Sequence, residues 1–222
     1  INILIYYLEK VCDDELHFGK HIIPAMLEGD RKVYVHTYDS YWMDVGTYDS
    51  YLEANLDLMK KSEEIGIDLY DQNWKIYTKS EDLPAVRIGA TGSVINSLVS
   101  NGCKIEGRVE NCVLGPGVTV RQGSTIRNSI LFSGTYIDEN THLDTVITDR
   151  RAYVGRNSII GYGDDYTANE EKPDLLSKGI SVIGKGAHLP EATIVGRNVR
   201  IFGGVRLEDY NKFVPSGATI KG

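Results

Sequence analysis

Leu114-Gly115-Pro116-Gly117-Val118-Thr119-Val120-Arg121-Gln122-Gly123-Ser124-Thr125-Ile126 carries a large aliphatic residue at every sixth position. The series resumes at Leu131, Ile137 and Leu143, and again at Thr148, Val154 and Ile160, each 17 residues from its counterpart. A second register of small or β-branched residues runs four positions behind, as Val118, Thr135 and Ala152, and as Ser124, Thr141 and Ser158. Further on the step is six throughout: Ile183, Leu189, Val195, Ile201 and Leu207, with Ala187, Thr193, Val199 and Val205 four behind. Gly184 and Gly196 directly follow their aliphatic residue.

A period of six fits neither a helix, at 3.6, nor an isolated strand, at 2. It fits a coil with three short flat sides. Each side turns one large and one small residue inward, and Gly or Asn sits at the corners. Stacked coils bury a continuous interior, as solenoid repeats do, and hexapeptide spacing marks a parallel β-helix. The fold class read from the chain is therefore mainly β, with the prism filling residues 87–222. Gly161 to Lys178 breaks the ruler with Asp164, Asp165, Glu170, Glu171, Pro173 and Asp174, and is expected to loop out as a solvated acidic segment, the functional alternative being a flap over a neighbouring site.

The composition narrows the partners. The 222 residues carry a net charge of −7, with 25% charged and 41% hydrophobic. No basic footprint for nucleic acid is present, and no apolar run approaches the roughly 20 residues of a membrane span. Three cysteines, Cys12, Cys103 and Cys112, show no close metal-type spacing and fit a reducing, cytoplasmic compartment. The chain opens Ile1-Asn2-Ile3-Leu4-Ile5, without an initiator Met, and reads as cut from something longer.

Residues 1–62 read as a different kind of chain, α/β in character, with 63–86 as a linker. Phe18 to Leu27 reads as a short helix interrupted by Pro24, and Arg31 to Tyr38 alternates like a strand. Tyr41-Trp42-Met43-Asp44-Val45-Gly46-Thr47 reads as a tight turn, with Thr47 an N-cap and Tyr48, Tyr51, Leu52, Leu56 and Met59 at helical spacing. Tyr41 and Trp42 read as core or interface aromatics. A carboxylate in such a turn, Asp44, either fixes the turn or binds a hard cation such as Mg²⁺.

These residues resemble a known family. Tyr41 to Thr47 followed by Glu53-Ala54-Asn55-Leu56-Asp57-Leu58, the stretch Phe18-Gly19-Lys20-His21-Ile22-Ile23-Pro24, Asp71 to Thr78, Asn96 to Cys103 and Gly179-Ile180 are together similar to glucose-1-phosphate adenylyltransferases (ADP-glucose pyrophosphorylases). The resemblance implies a left-handed hexapeptide β-helix behind the C-terminal end of a nucleotidyltransferase domain. It implies an enzyme that makes ADP-glucose and pyrophosphate from ATP and glucose 1-phosphate for glycogen synthesis. It also implies two aspartates holding Mg²⁺, the second being Asp44, and a homotetramer. The family's Gly-rich nucleotide loop, first metal aspartate and sugar-phosphate lysine do not occur in this sequence, so the chain alone is expected to be inactive and to supply the allosteric and assembly part. Met43 stands where the family usually has Arg, and His17 where it usually has Asp.

The family also binds anionic sugar-phosphate or nucleotide effectors. The resemblance points to Lys185, His188, Arg151 and Arg150 for that anion site, against the plain reading of solvated charges outside a coil. Two rival readings are a non-catalytic regulatory subunit of the same enzyme, and a hexapeptide acyltransferase using acetyl-CoA with His142 or His188.

Overall fold

The computed structural model describes residues 1–10, 17–77, 81–206 and 212–222. Cys12, Thr78 and Leu207 lie outside the described residues. The chain forms two compact units, Ile1–Ser40 and Tyr41–Gly222.

In the second unit the hexapeptide ruler becomes three parallel sheets of six, seven and seven strands. Sheet A runs from Arg87–Ile88 through Lys104–Ile105, Thr119–Val120, Tyr136–Ile137 and Tyr153–Val154 to His188–Leu189. Sheet B includes Arg108–Glu110, Thr125–Arg127, His142–Asp144, Ile159–Ile160 and Ile194–Val195. Sheet C includes Val113–Leu114, Ile130–Leu131, Val146–Thr148, Ser181–Ile183 and Arg200–Ile201. This is a parallel β-helix of the hexapeptide type. Leu114, Leu131, Thr148, Ile183 and Ile201 form the inward ladder of sheet C, and Val120, Ile137, Val154 and Leu189 that of sheet A. The small register, with Ser124, Thr135, Thr141, Ala152 and Ser158, is buried beside them.

The corners explain the small residues. One corner is Gly102, Gly117, Gly134, Arg151, Gly186 and Gly204, all with positive φ; another is Asn96, Asn111, Asn128 and Thr145. Asparagine tolerates the left-handed region, and here it does more: Asn96 Nδ2 donates to Asn111 Oδ1 at 2.8 Å, and Asn128 Nδ2 to Asp144 Oδ1 at 3.1 Å, linking coils. Gly184 has another reason. A Cβ there would lie 2.4 Å from the backbone N of Gly203 in the next coil.

The stack begins before residue 114. Strands at Arg87–Ile88 and Ser93–Ile95 pair with Lys104–Ile105 and Arg108–Glu110, and Ile105 pairs with Val120 only 15 residues on. That lap is two residues short because the chain turns tightly at Gly107, where a Cβ would meet Ser124 O at 2.4 Å.

A helix at Tyr48–Asp57 (α3) covers the outer side of sheet C. Thr47 caps it as expected: Thr47 Oγ1 accepts from Ser50 N at 3.3 Å, and Ser50 Oγ accepts from Thr47 N at 3.2 Å, a capping box. Leu52 buries against Ile130, Ile147, Leu176 and Ile180, with Tyr48, Tyr51 and Leu56 packed around them. Those sheet residues point outward, so sheet C is apolar on both sides.

The first unit holds a helix at Asn2–Lys10 (α1) and a helix that starts as a π-turn at Phe18–Ile22 and continues as α at Ile23–Glu28 (α2). The expected interruption at Pro24 is this change of winding: proline, with no N–H to give to the preceding turn, stands where the π segment passes into the α segment. The expected strand at Arg31 to Tyr38 does not form; these residues lie in no strand and Tyr34 and Val35 are exposed. A strand needs a paired neighbour, and none is present for this segment among the described residues. Trp42 is also exposed, while Tyr41 donates from its hydroxyl to Asp57 Oδ2 at 3.1 Å.

Candidate functional site

The turn before α3 and the outer side of sheet C enclose a groove of about 670 Å³. Val45, Gly46 and Thr47 form one wall, with Tyr48 and Tyr51 from the first turns of the helix. Phe132, Ile147 and Val182 form the floor, while Asp149, Lys185, Arg200 and Phe202 stand at the opposite rim. The walls are thus mostly apolar and the rim is ionic. The Arg200 guanidinium lies 4.3 Å from the centre of the Phe202 ring, a cation–π arrangement that holds the cation at the groove edge.

Gly161 to Lys178 does leave the prism, and its acidic side chains are exposed, as expected. It is nonetheless bolted down. Asn169, buried, donates to Asn198 O at 3.0 Å and to Gly217 O at 3.1 Å, and its Oδ1 accepts from Lys172 N at 3.0 Å. Asn198, equally buried, accepts from Gly179 N at 2.6 Å and donates to Thr167 O at 3.0 Å. Leu175 from this strap completes the groove, and Lys178 forms an ion pair with Asp49 in the first turn of α3. The ammonium beside it holds the Asp49 carboxyl below the usual range, and the Asp49 carboxylate holds Lys178 above its own.

Arg150 and Arg151 line a second hollow, with Gly134, Pro116, Leu83 and Glu81. Phe132 lines both cavities. Gly186 N donates to Arg150 O at 2.9 Å, so Arg150 and Lys185 occupy the same corner in successive coils. Arg151 sits at φ +58°, where the other coils place glycine; a non-glycine residue there carries roughly 1–2 kcal/mol of strain. The structure thus brings Lys185, Arg150 and Arg151 to one corner, over two adjoining hollows. His188 is elsewhere: on the outer side of sheet A its ring stacks on Tyr153, centroids 4.5 Å apart. His142 is exposed on sheet B.

Asp44 is exposed, and its Oδ1 accepts from Gly46 N at 3.1 Å, the turn-fixing role. Among the described residues, no group of three or more His, Cys, Asp or Glu is arranged to hold an ion. A single open carboxylate fits Mg²⁺ only in the way that ion usually binds to phosphate enzymes, through one or two carboxylates with water and phosphate oxygens supplying the rest.

Arg200, Phe202 and Asp149 were not anticipated from sequence. The signal for a covered face was present in the doublets Val113-Leu114, Ile130-Leu131, Ile147-Thr148 and Val182-Ile183, where the outward residue is also apolar. Strands buried on both faces read as continuous apolar runs.

A family model described as "Nucleotidyl transferase" matches residues 2–61, and one described as "GlmU-like, C-terminal hexapeptide" matches 84–183. Glucose-1-phosphate adenylyltransferase of Acetivibrio thermocellus is 42% identical over 193 residues, covering 87% of this chain and 45% of that protein. The enzymes so named from Thermomicrobium roseum and Fervidobacterium nodosum are 39% and 33% identical, covering 92% and 90% of this chain and 48% and 47% of theirs. The chain spans about half the length of the curated relatives it matches.

Proposed function

By sequence the chain belongs with the glucose-1-phosphate adenylyltransferases, and from that premise we propose that it is the C-terminal part of such an enzyme, supplying its regulatory and assembly region. The observation that carries this is the run of identity along nearly the whole chain, through the Asp44 turn and the prism alike. We propose the division into residues 1–62, from the nucleotidyltransferase domain, a linker at 63–86 and the prism at 87–222; the family-model matches at 2–61 and 84–183 and the strands that run on to Thr219–Ile220 support it.

In the full-length enzyme the substrates are ATP and glucose 1-phosphate. A phosphate oxygen of the sugar phosphate attacks the α-phosphorus of ATP, the new P–O bond forms, and the bond to the departing pyrophosphate breaks. Asp44 is one of the carboxylates that would hold Mg²⁺, and the ion when bound neutralises charge on the reacting phosphates. This chain's own part is to hold Asp44 by its bond to Gly46 N and by the Thr47 cap behind it.

Lys185, Arg150 and Arg151 are the cations we assign to an anionic effector, and their shared corner supports them as a group. His188, stacked on Tyr153, is at most a neighbour of that site. We further propose a homotetramer and a cytoplasmic setting. Among the described residues no helix is long and apolar enough to cross a membrane, and Cys103 and Cys112 are free thiols.

The test is an assay of ADP-glucose formation by the full-length protein and by this chain alone. The full-length protein should be active, Asp44→Asn should lower kcat about 100-fold or more, and the chain alone should form no product. Product from the isolated chain, or an unaffected Asp44→Asn enzyme, refutes the assignment.

A further inference from the structure

The strap between sheets B and C is held far more firmly than an acidic surface loop requires. Two buried asparagines satisfy backbone groups along it. Arg197 donates to Gly163 O at 2.7 Å and pairs with Asp144 at 3.1 Å, fixing its near end to the prism. Its far end carries two contacts to α3: Leu176 is buried with Leu52, and Lys178 pairs with Asp49. Asp49 lies two residues past Thr47, the cap that ends the turn bearing Asp44. The Asp44 side chain has only one hydrogen bond among the described residues, to Gly46 N, so its position depends on where α3 begins.

We propose that the strap is a positioning element for the Asp44 turn, with Lys178 and Asp49 as its latch. This rests on the reading of Asp44 as a metal ligand and goes beyond it, since it gives Lys178 and Asp49 no contact with substrate or metal and only the bond between them. The chain of fixed parts is continuous: prism, asparagine bolts, strap, latch, helix N-terminus, turn. Helix α3 is only ten residues long, so an unlatched first turn can fray without melting the sheet-packed turn at Leu52 and Leu56. The strap also supplies Leu175 to the groove that Lys185 and Arg200 border, so a ligand there would press on the same element.

The experiment uses the full-length enzyme with Lys178→Met, Lys178→Arg, Asp49→Asn and the double variant Lys178→Met/Asp49→Asn. Amide hydrogen exchange over residues 44–52 is measured without metal, and the Mg²⁺ concentration giving half-maximal activity is measured alongside. Lys178→Met should speed exchange of the Gly46 to Ser50 amides about three- to fivefold, the range an exposed ion pair can supply. It should raise the Mg²⁺ requirement by a similar factor, with the melting temperature nearly unchanged. Lys178→Arg should stay near the parent, and the double variant should be no worse than either single one, as expected for one shared interaction. Unchanged exchange and Mg²⁺ requirement in Lys178→Met, or additive effects in the double variant, overturn the latch. Loss of the enzymatic reading would show instead as no ADP-glucose from the unmodified full-length protein, and the exchange data would still decide the latch.

Discussion

Cys112 fills a slot that the later coils give to serine, valine or alanine. It precedes Val113 as Ser129 precedes Ile130 and Ser181 precedes Val182, and its Sγ lies 3.0 Å from Glu110 O. Burial pushes its thiol up to about 12 and pushes Cys103 up as well. Both thiols should therefore resist iodoacetamide at pH 8 in the native chain and react once it is unfolded, as peptide mass spectrometry would show. Native labelling of Cys112 within minutes would mean that the coil opens there. The sign of the linkage is set by the raised value. The contribution to stability is complete below the unfolded thiol's pKa near 9.0 and is lost as the pH rises toward 12. Both cysteines lie before Leu114, where the ruler in the sequence begins, which is why they informed a compartment and not the core.

At the scale of elements, regular steps were readable and exceptions were not. The six-residue step located every inward ladder from Leu114 to Ile201, and Thr47 with its helical successors located α3, because both patterns repeat a single physical demand. The coils before 114 were hidden by the 15-residue lap at Gly107, and the strap was read as solvated because its charges are. Its anchoring depends on two asparagine side chains meeting backbone from segments about 30 to 50 residues away, which no local pattern encodes. Asn169→Ala removes donors to Asn198 O and Gly217 O and the acceptor for Lys172 N. It should cost about 2–4 kcal/mol, more than a single buried hydrogen bond. Calorimetry should show the lower melting temperature, and amide exchange should rise over 162–179 before it rises in sheets A and B. A variant as stable as the parent would mean the strap is held by its leucines alone.

For the whole molecule, apolar exposure points to what the fold still needs. Tyr34 and Val35 are 84% and 93% exposed, and Trp42 is 75% exposed. Scattered apolar side chains on a surface are ordinary, but Arg31 to Tyr38 also has the alternation of a strand and pairs with no strand among the described residues. The curated relatives are about twice the length of this chain, and under the function proposed above the pairing partner would lie in the rest of such an enzyme. In the full-length protein the amides of Val33 to His36 should be protected from exchange, and Tyr34 should lose its reactivity to hydroxyl-radical labelling. In the isolated chain both should behave as solvent-exposed, while the amides of Thr125 to Ile160 stay protected in either form, since the stacked coils satisfy one another. Equal exposure of Tyr34 in both proteins would show that the segment is a true loop, and the alternation of Val33 and Val35 would then carry no pairing information.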